Sequence, residues 1–202
     1  MTEHPNTAQL RQIRDEVWNL TASPLYNFRQ ENQYYPVLGE GSHTATILFT
    51  GEAPGKNEAE QGRPFCGRSG KVLDDWIASL GLARQDVYIT NIVKDRPPEN
   101  RDPNAAELRI YAPFLLRQID IIQPQVICPV GRFSMEFIFE QFKVPVKDPR
   151  ITKVQGQIFD GEASYGVIKV VPLLHPSYFL RNQRFEDALD AVSVLKQFVD
   201  GT

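Results

Sequence analysis

The sequence predicts a three-layer α/β/α sandwich with a central, mostly parallel sheet. Two observations carry that expectation. Short strand-like runs alternate with helix-like runs from residue 46 onward. Three of the strand-like runs also end in polar blocks rich in glycine or proline. These are Gly51-Glu52-Ala53-Pro54-Gly55, Asn91-Ile92-Val93-Lys94-Asp95-Arg96-Pro97-Pro98 and His175-Pro176-Ser177. Open α/β sheets keep ligands in the crevice outside the carboxyl ends of their strands, so the three blocks are expected to line one crevice. With 202 residues and 42% hydrophobic content, the chain is expected to form a single domain over 1–202.

Taken in order, residues 8–20 place Leu10, Ile13, Val17, Trp18 and Leu20 at helical spacing. Ser23-Pro24-Leu25-Tyr26 breaks the pattern, and 27–41 reads as a long arm or loop. Residues 46–50 are β-rich and short, as suits a buried strand. Residues 69–80 read as a helix capped by Ser69, with Val72, Leu73, Trp76, Ile77 and Leu80 on one face and Gly81 at its end. A second strand is expected at 86–90. A turn-rich loop over 97–103 then leads to Asn104, the expected cap of a helix over 105–121. A third strand at 125–130 stops at Gly131, and a helix follows over 133–142, then a loop over 145–149. Strands are expected at 157–159 and 167–174, with Gly161 and Gly166 bracketing the turn between them, and a last helix at 184–199. There is no internal repeat and no low-complexity tract.

No apolar stretch reaches the roughly 18 residues of a membrane span. Residues 1–12 carry no signal-like apolar run, so a cytoplasmic protein with no membrane partner is expected. Two cysteines, Cys66 and Cys128, do not make a disulfide scaffold. A net charge of -3 argues against strong non-specific nucleic-acid binding and leaves room for local basic patches. Lys94, Arg96 and Arg101 form one such group. Arg181 and Arg184 form a second, and Lys143, Lys147, Arg150 and Lys153 with Asp148 a third.

The glycine–proline turn at 51–55 exposes backbone N–H groups suited to a carbonyl, a water or a phosphate. It is neither a Walker A loop nor a dinucleotide fingerprint. Phe65 is either ordinary packing or a face on which a flipped base stacks. Asn91 either caps a turn or reads a polar edge. Its amide sets one donor beside one acceptor, which complements the N3–H and O4 of uracil and opposes cytosine. His175 stands apart from any cluster with metal-ligand spacing, and a zinc site is not expected. If catalytic, it places a donor on developing negative charge.

Together these blocks resemble the uracil-DNA glycosylase superfamily, and most closely its iron–sulfur-containing family 4. The resemblance spans about residues 20–181. It rests on the 51–55 turn, Gly62 with Pro64-Phe65 and Gly67, Ser69-Gly70, Thr90-Asn91, Lys94, Arg96-Pro97-Pro98, Asn100-Arg101, Gly131, His175-Pro176-Ser177 and Leu180-Arg181. It implies a base-excision enzyme that releases uracil from single- or double-stranded DNA. Glu52 and His175 would be catalytic. Gly51, Ala53, Pro54, Gly55, Phe65, Asn91 and Ser177 would hold the base. Lys94, Arg96, Arg101 and Arg181 would contact DNA. Ala53 stands where other uracil-DNA glycosylases carry an aspartate, in keeping with family 4. The resemblance also implies a small monomer.

The chain departs from the family at its cluster. Family 4 holds a [4Fe–4S] cluster on four cysteines, two of them just before a Pro-Leu-Tyr segment. Here that pair is Leu20 and Ser23, a third place falls near Tyr111-Ala112, and only Cys128 lies near the fourth. One thiolate cannot hold four irons, so no cofactor and no metal are expected. Leu20, Ser23 and Tyr111 or Ala112 should close the gap by packing and hydrogen bonding. A second departure is Ala59, where an acidic residue often follows Glu58. A glycosylase for another deaminated base such as hypoxanthine, and a non-catalytic DNA- or uracil-binding relative, are the competing readings.

Overall fold

A computed structural model describes residues 4–182 and 185–199, so Arg184 lies outside the described residues. The chain begins with α1 (Pro5–Trp18), α2 (Tyr26–Glu31) and a two-residue strand, β1 (Glu40–Gly41). Next come β2 (Ile47–Gly51), α3 (Lys56–Gln61), α4 (Arg68–Ser79), β3 (Tyr88–Asn91), α5 (Ala105–Ile122), β4 (Val126–Pro129) and α6 (Arg132–Gln141). The last elements are α7 (Ile151–Val154), β5 (Phe159–Ala163), β6 (Gly166–Val170), α8 (Pro176–Asn182) and α9 (Phe185–Ser193), followed by a 3-10 turn over Val194–Phe198.

The sheet runs in the order β1-β3-β2-β4-β6-β5. The four central strands are parallel, and the two edges, β1 and β5, are antiparallel to their neighbours. The mostly parallel sheet is therefore as expected. Every residue of β2, β3 and β4 is buried, which explains why these strands read as short apolar runs without alternation.

Chain direction determines where a ligand goes. From β2 the chain crosses to β3 on one side, and from β3 it returns past β2 to β4 on the other. Right-handed crossovers put the two connecting helices, α4 and α5, on opposite faces of the sheet. The loops leaving β2 and β3 thus part at their carboxyl ends, and the crevice between them is the switch point where open α/β sheets bind ligands. On one face α1 packs on α5, tied by Arg117 and Glu16 (2.9 Å). On the other, α4 packs with α8 and α9, and Trp76 meets Phe179 edge-on at 5.7 Å.

Several boundaries differ from expectation. The arm at 27–41 contains α2 and β1. Its helix is anchored by Arg29, which is buried and donates to the last carbonyls of α1, Val17 (3.1 Å) and Trp18 (2.6 Å). A lone arginine amid polar residues gave no periodic signal for this. Helix α4 starts at Arg68 with Gly67 as its cap, so Ser69 does not cap it. Just before the helix, the Glu58 carboxylate accepts from Cys66 N–H (3.0 Å) and Gly67 N–H (2.8 Å). Gly161 lies inside β5 opposite Ile168, the hairpin turns at Ser164-Tyr165, and β6 stops at Val170. A short helix, α7, stands where none was read.

Asn104 caps α5 as expected. Its side chain accepts from Ala106 N–H and Glu107 N–H, and Glu107 accepts from Asn104 N–H in return. Among the described residues no helix is long and apolar enough to cross a membrane. Asn104→Ala should lower the unfolding free energy by about 1 kcal/mol in urea melts.

Candidate active site

Gly51 and Asn91 are in register at the ends of β2 and β3. The pairing continues past both strands: Ile92 N–H donates to the Gly51 carbonyl (3.0 Å) and Val93 N–H to the Glu52 carbonyl (3.0 Å). A cavity of about 700 Å³ opens at this junction. Glu52, Ala53, Pro54 and Gly55 line it from the turn after β2, and Phe65 from the loop before α4. Asn91 lines it from β3, and His175, Ser177 and Arg181 from the chain after β6. The three sequence blocks do share one crevice.

Asn91 is 2% exposed, and its Nδ2 is buried without a hydrogen-bond partner. Native proteins rarely leave such a donor unmet, and a ligand group is one explanation. Gly51 does not line the cavity, which corrects its expected place. A Cβ there would stand 2.4 Å from Asn91 Oδ1 and 2.7 Å from Phe65 Cζ. The absence of a side chain at 51 is what lets the amide and the ring come together.

Phe65 is held in a left-handed conformation, φ 47°, which disfavours any side-chain-bearing residue. Its surroundings over-determine it. Arg84 donates to the Pro64 carbonyl (2.6 Å) and the Phe65 carbonyl (3.1 Å) and pairs with Glu40 and Asp74. A Cβ on Gly70 would lie 1.7 Å from Phe65 O, so the start of α4 fits against this loop only as glycine. The carboxylate of Glu58 sits between Gly55 and Gly67 and fixes the next two amides. Ala59 is fully buried behind it.

The Phe65 and His175 rings are 6.1 Å apart and tilted by 34°. Burial holds the His175 pKa below the ordinary value, helped by the Arg181 charge and opposed by Glu58. Its Nδ1 accepts from Ser177 N–H (3.2 Å) and lies 2.8 Å from Ser177 Oγ. A nitrogen that accepts a backbone N–H carries no proton, so the proton of the neutral ring is on Nε2. The site thus holds a neutral imidazole donor.

Glu52 is half-buried, and its pKa is pushed up to about 7. Burial is the main cause. The Asp102 carboxylate adds repulsion and accepts a hydrogen bond from protonated Glu52, while Arg132 opposes the rise. Asp102 lines the same cavity. Sequence reasoning missed Asp102 and the structural use of Glu58. Asp102 lies far along the chain from Glu52, and only the fold makes them a pair. Glu58 carried a signal in hindsight, as a carboxylate between the glycines at 55 and 67.

The expected DNA-contacting residues separate. Arg181 and Arg101 line the cavity. Arg101 also forks onto Glu107 (2.5 and 2.8 Å) and remains partly exposed. Arg96 lies outside the cavity lining, with its guanidinium over Tyr34 and bonded to Tyr34 Oη (2.8 Å) and Asn100 Oδ1 (2.7 Å). Lys94 corrects the expectation outright. It is 0% exposed and donates to Asn91 O (2.6 Å), Gln118 Oε1 (2.6 Å) and Thr90 Oγ1 (2.8 Å). Burial pushes its pKa well down. It supports the backbone of Asn91 from below and cannot reach a phosphate. Arg68 and Asn100 join the cavity wall without having been singled out for it.

The residues present do not fit a four-thiolate cluster. The chain has two cysteines. Cys66 is in the Phe65 loop and Cys128 is buried in β4, and burial raises both thiol pKa values. Among the described residues no group of three or more His, Cys, Asp or Glu side chains could hold a metal ion.

The sequence profile of the Uracil DNA glycosylase superfamily matches residues 38–196. The chain is 42% identical over 182 residues to the type-4 uracil-DNA glycosylase of Sulfurisphaera tokodaii, covering 90% of this chain and 80% of that one. It is 40% identical over 190 residues to the type-4 enzyme of Thermotoga maritima, covering 93% of each. With the type-4 enzyme of Archaeoglobus fulgidus it shares 39% over 163 residues, covering 81% of this chain and 80% of that one. On the strength of these matches, the chain belongs to family 4 of the uracil DNA glycosylase superfamily.

Proposed function

We propose that this protein is a monofunctional uracil-DNA glycosylase. It hydrolyses the N-glycosidic bond of deoxyuridine in DNA, releases uracil and leaves an abasic site. The observation that carries this reading is the unpartnered Nδ2 of Asn91, set beside Phe65 in the cavity. Nδ2–H donates to uracil O4, and Oδ1 accepts from N3–H. Cytosine reverses both groups and would leave buried polar atoms unpaired. The base reaches the pocket by leaving the stack, and its face lies on Phe65. Arg101 and Arg181 at the cavity wall are the proposed phosphate contacts. The enzyme acts as a monomer.

In the reaction, the bond between C1′ and N1 breaks and its electron pair moves onto uracil N1 and O2. His175 Nε2–H donates to O2 and stabilises that charge without a full proton transfer. A water attacks the electron-poor C1′ and gives its proton to the Glu52 carboxylate. A base with a pKa near 7 suits this task at neutral pH. The attack is assigned to water with no covalent enzyme intermediate; Lys94, the lysine beside Asn91, is buried and engaged.

Oligonucleotides carrying one uracil, hypoxanthine, thymine or cytosine, treated with alkali after incubation, test this directly. Multiple turnovers on uracil alone are expected. Cleavage of hypoxanthine instead would replace the substrate. Binding without cleavage would make the chain a non-catalytic relative. Asn91→Ala and His175→Ala should each lower single-turnover rates by about 10²–10³-fold.

Gly51→Ala drives a methyl into Asn91 Oδ1 and Phe65. It should cost on the order of 10²-fold in the same assay. Because Glu52 must lose its proton to act, kcat/KM should rise with pH through about 7. Asp102→Asn removes the repulsion that raises Glu52, so the rise should move to lower pH. An unmoved midpoint would assign the titration to another group.

A further inference from the structure

The cluster that family 4 resemblance implies does not fit this chain, and a buried hydrogen-bonded network joins Ser23 and Tyr111. The Tyr111 hydroxyl donates its one proton to Asp95 Oδ2 (2.5 Å). Ser23 Oγ lies 2.6 Å from the same hydroxyl and must therefore donate to it. Arg29 Nη1 closes the other side of Asp95 at 3.1 and 3.2 Å, and the same guanidinium holds the Val17 and Trp18 carbonyls. Leu25 N–H donates to Ser23 Oγ (3.0 Å). Ser23, Arg29, Asp95 and Tyr111 are all buried, and Leu20 packs against the neighbouring core.

Two of these residues, Ser23 and Tyr111, stand where cluster cysteines were expected. The residue that meets them is Asp95, and this corrects the earlier placement of Cys128. Cys128 is on β4 in register with Phe49, inside the sheet, and no bond of the network involves it. Asp95 also opens the segment that brings Pro97, Asn100, Arg101 and Asp102 to the cavity wall.

We propose that the buried chain Ser23–Tyr111–Asp95–Arg29 replaces the iron–sulfur cluster as the strut that holds segment 95–102 against α1, α2 and α5, with Asp95 at the fourth corner. Each link depends on the next. Removing the Tyr111 hydroxyl takes one donor from the buried Asp95 carboxylate and leaves the buried Ser23 O–H without its acceptor, which is the costly way to break such a network. The strut needs no metal and takes no part in the chemistry of the cavity.

The tests read iron content and stability, so their outcome is separate from that of the glycosylase assay. Protein purified anaerobically should contain neither iron nor acid-labile sulfide, and about four irons per chain would overturn the proposal. Tyr111→Phe should lower Tm by on the order of 5 °C. It should also speed amide exchange in 95–102 more than in β4. An unchanged Tm with unchanged exchange would overturn it.

The corner assignment is tested by building thiolates into it. The combination Leu20→Cys, Ser23→Cys, Asp95→Cys and Tyr111→Cys, reconstituted with ferrous iron and sulfide, should take up about four irons per chain. The same variant retaining Asp95 should not. Equal uptake by both would return the corner to Cys128. A soluble quadruple variant that takes up no iron would refute the corner assignment, and if it is insoluble the Tyr111→Phe measurements decide.

Discussion

The site depends on one close approach, that of β2 to β3 at Gly51 and Asn91. Their parallel register puts a glycine opposite the asparagine where the two connections leave for opposite faces. Lys94 grips the Asn91 carbonyl from below, and the ladder continues into Ile92 and Val93. The amide of Asn91 therefore has a fixed backbone and an open side. Phe65 fills the space that a side chain at 51 would take. Moving either strand by one residue would bring a side chain into that space and turn the amide away from the cavity.

Around that junction the fold separates ionisable groups by environment. His175 is partly buried, faces a cation and accepts from a backbone N–H, so it is neutral and donates. Glu52 is half-buried beside another carboxylate and stays protonated to unusually high pH. Glu58 sits in the same cavity wall yet works as scaffold, because two backbone amides occupy one of its oxygens. Three acid–base residues within one pocket thus differ in function through their hydrogen-bond partners.

The layers, the central parallel strands and the three blocks were legible in the sequence because each depends on local pattern. Apolar runs of strand length, a capping box at Asn104 and helical spacing in α4 all report on neighbours along the chain. What was missed depends on neighbours across space. Lys94 looks like one of a basic surface group until three acceptors from β3 and α5 enclose it. Asp102 meets Glu52 only through the fold. Asp95 gave no hint of meeting Tyr111, while Cys128 drew notice by its element alone. Ser69 has the right chemistry for a cap, but the helix begins at Arg68, which puts Ser69 inside its first turn.

The left-handed backbone of Phe65 has a thermodynamic consequence. Holding a phenylalanine there costs on the order of 1–3 kcal/mol of folding stability. Arg84, Glu58 and Gly70 keep it there, so this cost is met when the chain folds. Ordering a mobile side chain on association would otherwise take roughly 0.5–1.5 kcal/mol from the binding free energy. A planar ligand that meets a ring already immobilised keeps that amount as affinity, and its arrival should be accompanied by little loss of conformational entropy at this position.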